Sequence, residues 1–190
     1  MTRQRLHSVF GILALLLIDC ASAPHPRLAP LLDDHHAWIA NQADPLTWLG
    51  ATAPTCPCSQ GRWDPAPAGW HRDSFWARPF HPGSTDGLRS DPQPSGASVQ
   101  CRYTADGQLV TEGSAAGSAD VVAPQRSIRG HERGDVQAAC RAFVLAMMLG
   151  TTQPTAEYFG ARPTRPGTCP ILRVDPLPLK LPGACGAWPL

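Results

Sequence analysis

Six of the seven cysteines, Cys56, Cys58, Cys101, Cys140, Cys169 and Cys185, all but Cys20 near the start, are the residues of this chain with the most definite chemistry open to them. Thiols either form disulfides or hold a metal, and the compartment decides which. Cys56-Pro57-Cys58 is a C-x-C step rather than the C-x₂-C step of zinc sites, so disulfides are favoured over a metal. Two cysteines one residue apart bridge each other only with difficulty, and each is expected to reach a distant partner. The pairing itself is left open by the sequence.

Three other constellations combine residue types that could do chemistry. Arg133-Gly134-Asp135 presents a guanidinium and a carboxylate, the pair that an integrin takes with its acidic pocket and bound metal. Asp135 also stands immediately before an apolar helical pattern, where its carboxylate suits an N-cap. Asp33-Asp34-His35-His36 has ligand chemistry for zinc or copper, but adjacent histidines leave a helix on different sides, and a solvated helix surface is the simpler reading. His131-Glu132 lacks the second histidine of a metalloprotease helix, and no nucleophile-elbow pattern holds any serine. No catalytic residue, metal or cofactor is therefore expected.

These residues need elements to place them. Leu31, Leu32, His35, Trp38 and Ile39 recur at helical spacing and predict a short amphipathic helix over 31–42, stopped at Asp44-Pro45. From Arg62 to Gly96 the chain is dense in Pro, Gly, Trp and Asp, which predicts loops pinned by Trp63, Trp70, Phe75 and Trp76. Core packing is the expected role of these rings, with a partner-facing aromatic patch as the alternative. Segments 97–104 and 108–112 flank Ala105-Asp106-Gly107 and predict a β-hairpin. Val136, Ala139, Cys140, Phe143, Val144 and Met147 then predict an apolar helix that Gly150 ends. From Ala161 onward repeated prolines predict extended chain held by disulfides.

The compartment follows from the start of the chain. Arg3, Arg5 and His7 precede an uncharged run over 9–18 and the small residues Ala21, Ser22 and Ala23, the layout of a signal peptide cleaved after Ser22 or Ala23. The run is too short to span a bilayer, and no later segment is long enough, so no membrane span is expected in the mature chain. Net charge is +1, and the arginines are scattered, which gives nucleic-acid binding no support. The single asparagine, Asn41, is followed by Gln42-Ala43, so no N-glycosylation acceptor exists.

Several motifs, in order, resemble the AMOP domain of isthmins, sushi-domain membrane proteins and a membrane mucin. Thr55 to Ser59 (TCPCS) is similar to the family's CPC start, and His81 to Ser90 (HPGSTDGLRS) to its PGA-type stretch before a CxRS turn. Gln100 to Ser118 (QCRYTADGQLVTEGSAAGS) resembles its CCY, glycine-turn, QL and GxGAG signature. Asp135-Val136 leading to Cys140, then Tyr158, Ala161-Arg162-Pro163 and Cys169, resembles the closing segment. Two departures stand out: Arg102 replaces the second cysteine of CCY, and Gly87 replaces the cysteine of CxRS.

The expectation is a small, irregular α+β domain, disulfide-bonded, with a short hairpin and two helices. Its parts are a signal peptide (1–23), a Pro-rich lead with a short helix (24–47), an AMOP-like domain (48–169) and a Pro-rich tail (170–190). The resemblance implies a secreted module acting in adhesion or signalling on a cell-surface receptor or matrix protein, an integrin among the candidates. A matrix component without a dedicated receptor, or a decayed copy of the family, are the alternatives.

Overall fold

The computed structural model describes residues 26–59, 65–73, 75–165, 167–176 and 178–187. The signal-peptide reading, with Cys20, and Trp63 fall outside the described residues, as do the side chains of Phe75 and Trp76.

Helix α1 (Leu28–Ala40) turns inward the face that the sequence marks, Leu31, Leu32, Trp38 and Ile39 in part and His35 fully. Its end is closed by side chains, Asn41 Nδ2 donating to the Ala37 carbonyl at 2.8 Å and Gln42 Nε2 to that of Trp38 at 2.9 Å. Pro45 opens the short α2 (Pro45–Leu49), where its fixed φ suits a first helical turn.

Four strands, β1 (Trp70–Arg72), β2 (Asp86–Ser90), β3 (Ser98–Tyr103) and β4 (Ala119–Asp120), make an antiparallel sheet in the order β1-β2-β3-β4. Two of them, β1 and β2, run through the segment that its Pro and Gly content marks as loops. The ladder pairs residues 16 to 20 positions apart between β1 and β2 and 11 to 17 apart between β2 and β3, beyond the window that local composition reports. The expected hairpin is only partly formed. Its turn is present, with Thr104 N donating to Gln108 O and Val110 N to Arg102 O. Beyond it the second arm leaves β3: Leu109 N donates to Cys58 O, and Thr111 N and Glu112 N to Leu172 O. Glu112 and Arg173 form a parallel bridge there, so the extended tail completes the pairing that the hairpin does not.

Strand β3 alternates as a half-exposed strand should, with Val99, Cys101 and Tyr103 on one side and Ser98, Gln100 and Arg102 on the other. All six are nevertheless buried. The apolar side packs with Leu49, Ala53, Leu88 and Leu109, edged by Trp48 and Trp70, around the Cys56–Cys101 disulfide. The polar side is roofed by helices. Helix α3 (Ile128–His131) starts at Ser127, whose Oγ accepts from Gly130 N at 3.0 Å. It passes through one wide π-turn (Glu132–Val136) into α4 (Gln137–Leu149), which Gly150 ends in the left-handed conformation with φ of 64°. The helix therefore begins well before Asp135, and Asp135 is not its N-cap.

Helix α5 (Gln153–Ala161), which the sequence does not announce, lies against α4 with α1 beside both. Small residues Ala138, Ala139 and Ala142 let these helices approach the rings of Tyr158 and Phe159. Trp38 stacks on Tyr158 with ring centroids 5.2 Å apart, so α1 shares this core.

Three disulfides join Cys56 to Cys101, Cys58 to Cys169 and Cys140 to Cys185, with Cα separations of 5.7, 5.1 and 5.2 Å. Cys56 and Cys58 thus each reach a distant partner. The last bridge fastens the terminal 3₁₀ turn (Gly183–Ala187) to α4. Among the described residues no helix is long and apolar enough to cross a membrane.

Candidate functional site

The polar side of the sheet carries a chain of buried ions. Arg89 on β2 pairs through Nε with Asp73 Oδ1 at 3.1 Å and through Nη1 with Asp120 on β4. Arg102 on β3 reaches Asp73 Oδ2 through Nη1 at 3.1 Å and Ser84 Oγ through Nε at 3.0 Å. Burial opposes the Asp73 charge, but Arg89 and Arg102 more than offset it, and its pKa lies below the usual carboxylate value. Gln100, between the two arginines, donates to Asp73 and accepts from Ser118 Oγ at 3.0 Å.

Gly87 lies directly across the ladder from Arg102. A Cβ there would stand 2.4 Å from Arg102 Nη1 and 2.9 Å from the Cys101 carbonyl oxygen. The guanidinium occupies the space that a side chain at 87 would need. Gly117 answers to a similar constraint, because a Cβ at that position would come within 2.1 Å of Gln100 O.

A second ionic node sits on the helical side. Asp135 Oδ1 accepts from Val121 N at 2.9 Å and pairs with Arg162, while Oδ2 accepts from Val122 N at 3.2 Å and lies 3.3 Å from His131 Nδ1. Arg162 also donates to Gln42 Oε1 at 2.9 Å and to Gly134 O at 3.2 Å, and its Cζ lies 5.1 Å from the Trp38 ring and 5.8 Å from the Trp48 ring. This one guanidinium ties α1, α2 and the π-turn together, a task for which its planar fork is suited.

Between the two nodes lies a cavity of about 250 Å³, walled by Phe80, Tyr158 and Phe159 on its apolar side and by His81, Arg89 and Asp120 on its polar side. His81 Nδ1 is 2.6 Å from the Ala116 carbonyl oxygen. A carbonyl only accepts, so Nδ1 carries the hydrogen and Nε2 is left as an acceptor. Burial, with the Arg102 charge adding to it, pushes the His81 pKa down to about 3, and the ring is neutral. His131 Nδ1 similarly faces the Val122 carbonyl at 2.9 Å.

Ligand-type atoms of Asp120, His131 and Asp135 come within 4.8 Å of one another. Arg89 and Arg162 already neutralise the two carboxylates, whose oxygens are further engaged by Ser98, Ser118, Val121 and Val122. A cation entering there meets no surplus negative charge. Nor, among the described residues, is a serine or cysteine side chain hydrogen-bonded to a histidine ring.

Models of known families, curated proteins and solved structures contain no match to this chain.

The residues singled out by sequence fall in several places. Arg133 is exposed, but Asp135 is 2 % exposed and its carboxylate is spent on four partners. The tripeptide lies in a helical turn rather than a presenting loop, and the expected integrin contact has no free carboxylate behind it. In Asp33-Asp34-His35-His36, His35 is not solvated: it is buried, with Nε2 3.1 Å from Glu157 Oε2. The other three are exposed. Trp70 and Trp48 pack on the apolar core. Asp73, His81, Arg89, Gln100 and Asp120, which with Arg102 make the ionic layer and the cavity's polar wall, have no mark of their own in the sequence, and Arg102 stands out there only as a departure from the family's cysteine pattern. The one signal for them is the use of arginine almost to the exclusion of lysine, since Lys180 is the sole lysine.

Proposed function

We propose that this chain is a secreted AMOP-type module, a divergent member of that family, that acts in adhesion or signalling by binding a cell-surface receptor or matrix protein. The observation that carries this reading is the pairing of Gly87 with Arg102. These are the two positions where the chain departs from the family's cysteine pattern, and they are register partners across β2 and β3. Gly87 O accepts from Asp73 N on the β1 side, and Arg102 O accepts from Val110 N on the far side. The pair is therefore a non-hydrogen-bonded one, whose Cα atoms sit about 4.5 Å apart in antiparallel sheets, within the span of a disulfide.

Two apparent losses thus reduce to one exchanged cross-link. A glycine opens the space, an arginine fills it, and Asp73 supplies the counter-charge. Random decay gives no reason for three mutually fitted residues, so the arrangement favours a working, divergent member over a decayed copy. The three disulfides agree with an oxidising compartment, where such bridges form and persist.

The test has two parts. The double variant Gly87→Cys/Arg102→Cys, secreted from cultured cells, is expected to show a fourth bridge by intact mass after alkylation without reduction. Two alkylated thiols would remove the structural basis of the family reading. Labelled wild-type protein with all six thiols oxidised is then expected to bind cells or deposited matrix saturably and to be displaced by unlabelled protein. Absence of saturable binding refutes the adhesion and signalling role.

A further inference from the structure

The ion pairs account for one wall of the central cavity and leave the rest unexplained. Its volume of about 250 Å³ exceeds the roughly 150 Å³ in which a buried apolar void accepts benzene. Phe80, Tyr158 and Phe159 line it, and Ile128, 68 % exposed, lines it as well and opens it toward solvent. The rings of Tyr158 and Phe159 meet edge to face at 5.0 Å, and the His81 ring lies 5.0 Å from Phe159 on the other side. Part of the wall is thus aromatic and pre-formed, and His81, packed against Phe159 with its Nδ1 spent on the Ala116 carbonyl, keeps Nε2 as an acceptor for a ligand.

Charge selects the ligand further. Arg89, Asp120 and Asp135 in the wall each already have an opposite charge, so an ionic ligand would lose its hydration without gaining a counter-ion. The exposed Glu132, which also lines the cavity, disfavours an anion in particular. A neutral molecule with a flat apolar body and a single donor suffers neither penalty. We propose that this cavity is a binding site for a small neutral aromatic molecule bearing a hydroxyl or N–H, its ring against Phe159 and Tyr158 and its donor on His81 Nε2.

Phenol, toluene and benzoate serve as probes, titrated into the oxidised wild-type protein and followed by NMR shifts of His81, Tyr158 and Phe159. Phenol is expected to saturate these shifts and to bind about three- to tenfold more tightly than toluene, the ratio that one hydrogen bond supplies. Benzoate is expected to bind most weakly. Replacement His81→Phe should bring phenol to the affinity of toluene. Equal affinity of phenol and toluene for the wild type, preference for benzoate, or no cavity shifts with phenol overturns the proposal, and the ligand series on the wild type decides the matter even if the variant does not fold.

Discussion

Acidification should weaken this fold well above the range in which carboxylates titrate, and His81 is the reason. Its pKa is near 3 in the folded protein against 6.5 when unperturbed. Between those values the unfolded chain binds a proton that the folded chain refuses, so stability falls as pH falls from 6.5 toward 3 and is complete above 6.5. At ~1.36 kcal/mol per pH unit, moving from pH 7 to pH 5 removes about 2 kcal/mol, a large share of the ~5–15 kcal/mol typical of a domain. His35, also lowered by burial against its bond to Glu157, acts in the same direction. Asp73 acts only below the ordinary carboxylate value. The assay is urea unfolding at several pH values between 7 and 4.5 for the wild type and for His81→Asn. The asparagine amide nitrogen can replace Nδ1 as donor to Ala116 O but does not titrate. Its loss of ring packing lowers stability at every pH, whereas the slope should flatten by about 1.4 kcal/mol per unit below pH 6. Equal slopes for the two proteins would refute a buried, neutral His81.

Gly87→Ala should destabilise by about 1–3 kcal/mol, because the new methyl group must displace Arg102 or the Cys101 carbonyl; thermal unfolding reads it. Arg102→Met leaves Asp73 with one arginine and should cost roughly 3 kcal/mol by urea unfolding. Asp135→Asn should lower stability by a similar amount, roughly 3 kcal/mol, and with it the secreted yield, whereas Arg133→Ala at an exposed site should stay within ~0.5 kcal/mol of wild type. Cys140→Ser/Cys185→Ser opens a loop closed over 45 residues and should cost about 2–4 kcal/mol, with the tail exchanging hydrogen faster than the sheet.

The helices were legible where a buried stripe repeats at helical spacing, as in Leu31 to Ile39 and in Val136 to Met147. Helix α5 was not, since its one strong stretch, Tyr158-Phe159, is two residues long and Gly160 follows. Strand β3 was legible, but the burial of its polar side was not. Alternation of Val99, Cys101 and Tyr103 with Ser98, Gln100 and Arg102 marks one wet face in an ordinary sheet, and here the polar face is buried as completely as the apolar one. Burial of Arg89 and Arg102 depends on the carboxylate of Asp73, 16 and 29 residues before them in the chain, and, for Arg89, on that of Asp120 in β4, and no local pattern encodes that meeting. The engagement of the Asp135 carboxylate was illegible for a related reason. Whether a carboxylate is displayed depends on which backbone amides fold over it, and those of Val121 and Val122 come from a separate loop.

The order of the three disulfides along the chain has a consequence for proteolysis. The span 58–169 overlaps both 56–101 and 140–185, so every peptide bond between Cys56 and Cys185 lies inside at least one closed ring. A protease that cuts once at any exposed arginine in that interval nicks the chain without releasing a piece of it. A molecule cut once would keep its mass, gaining only a water, and its two fragments would part only on reduction. A single clip near Arg129 or Arg133 would free two new ends held together through Cys58 and Cys169.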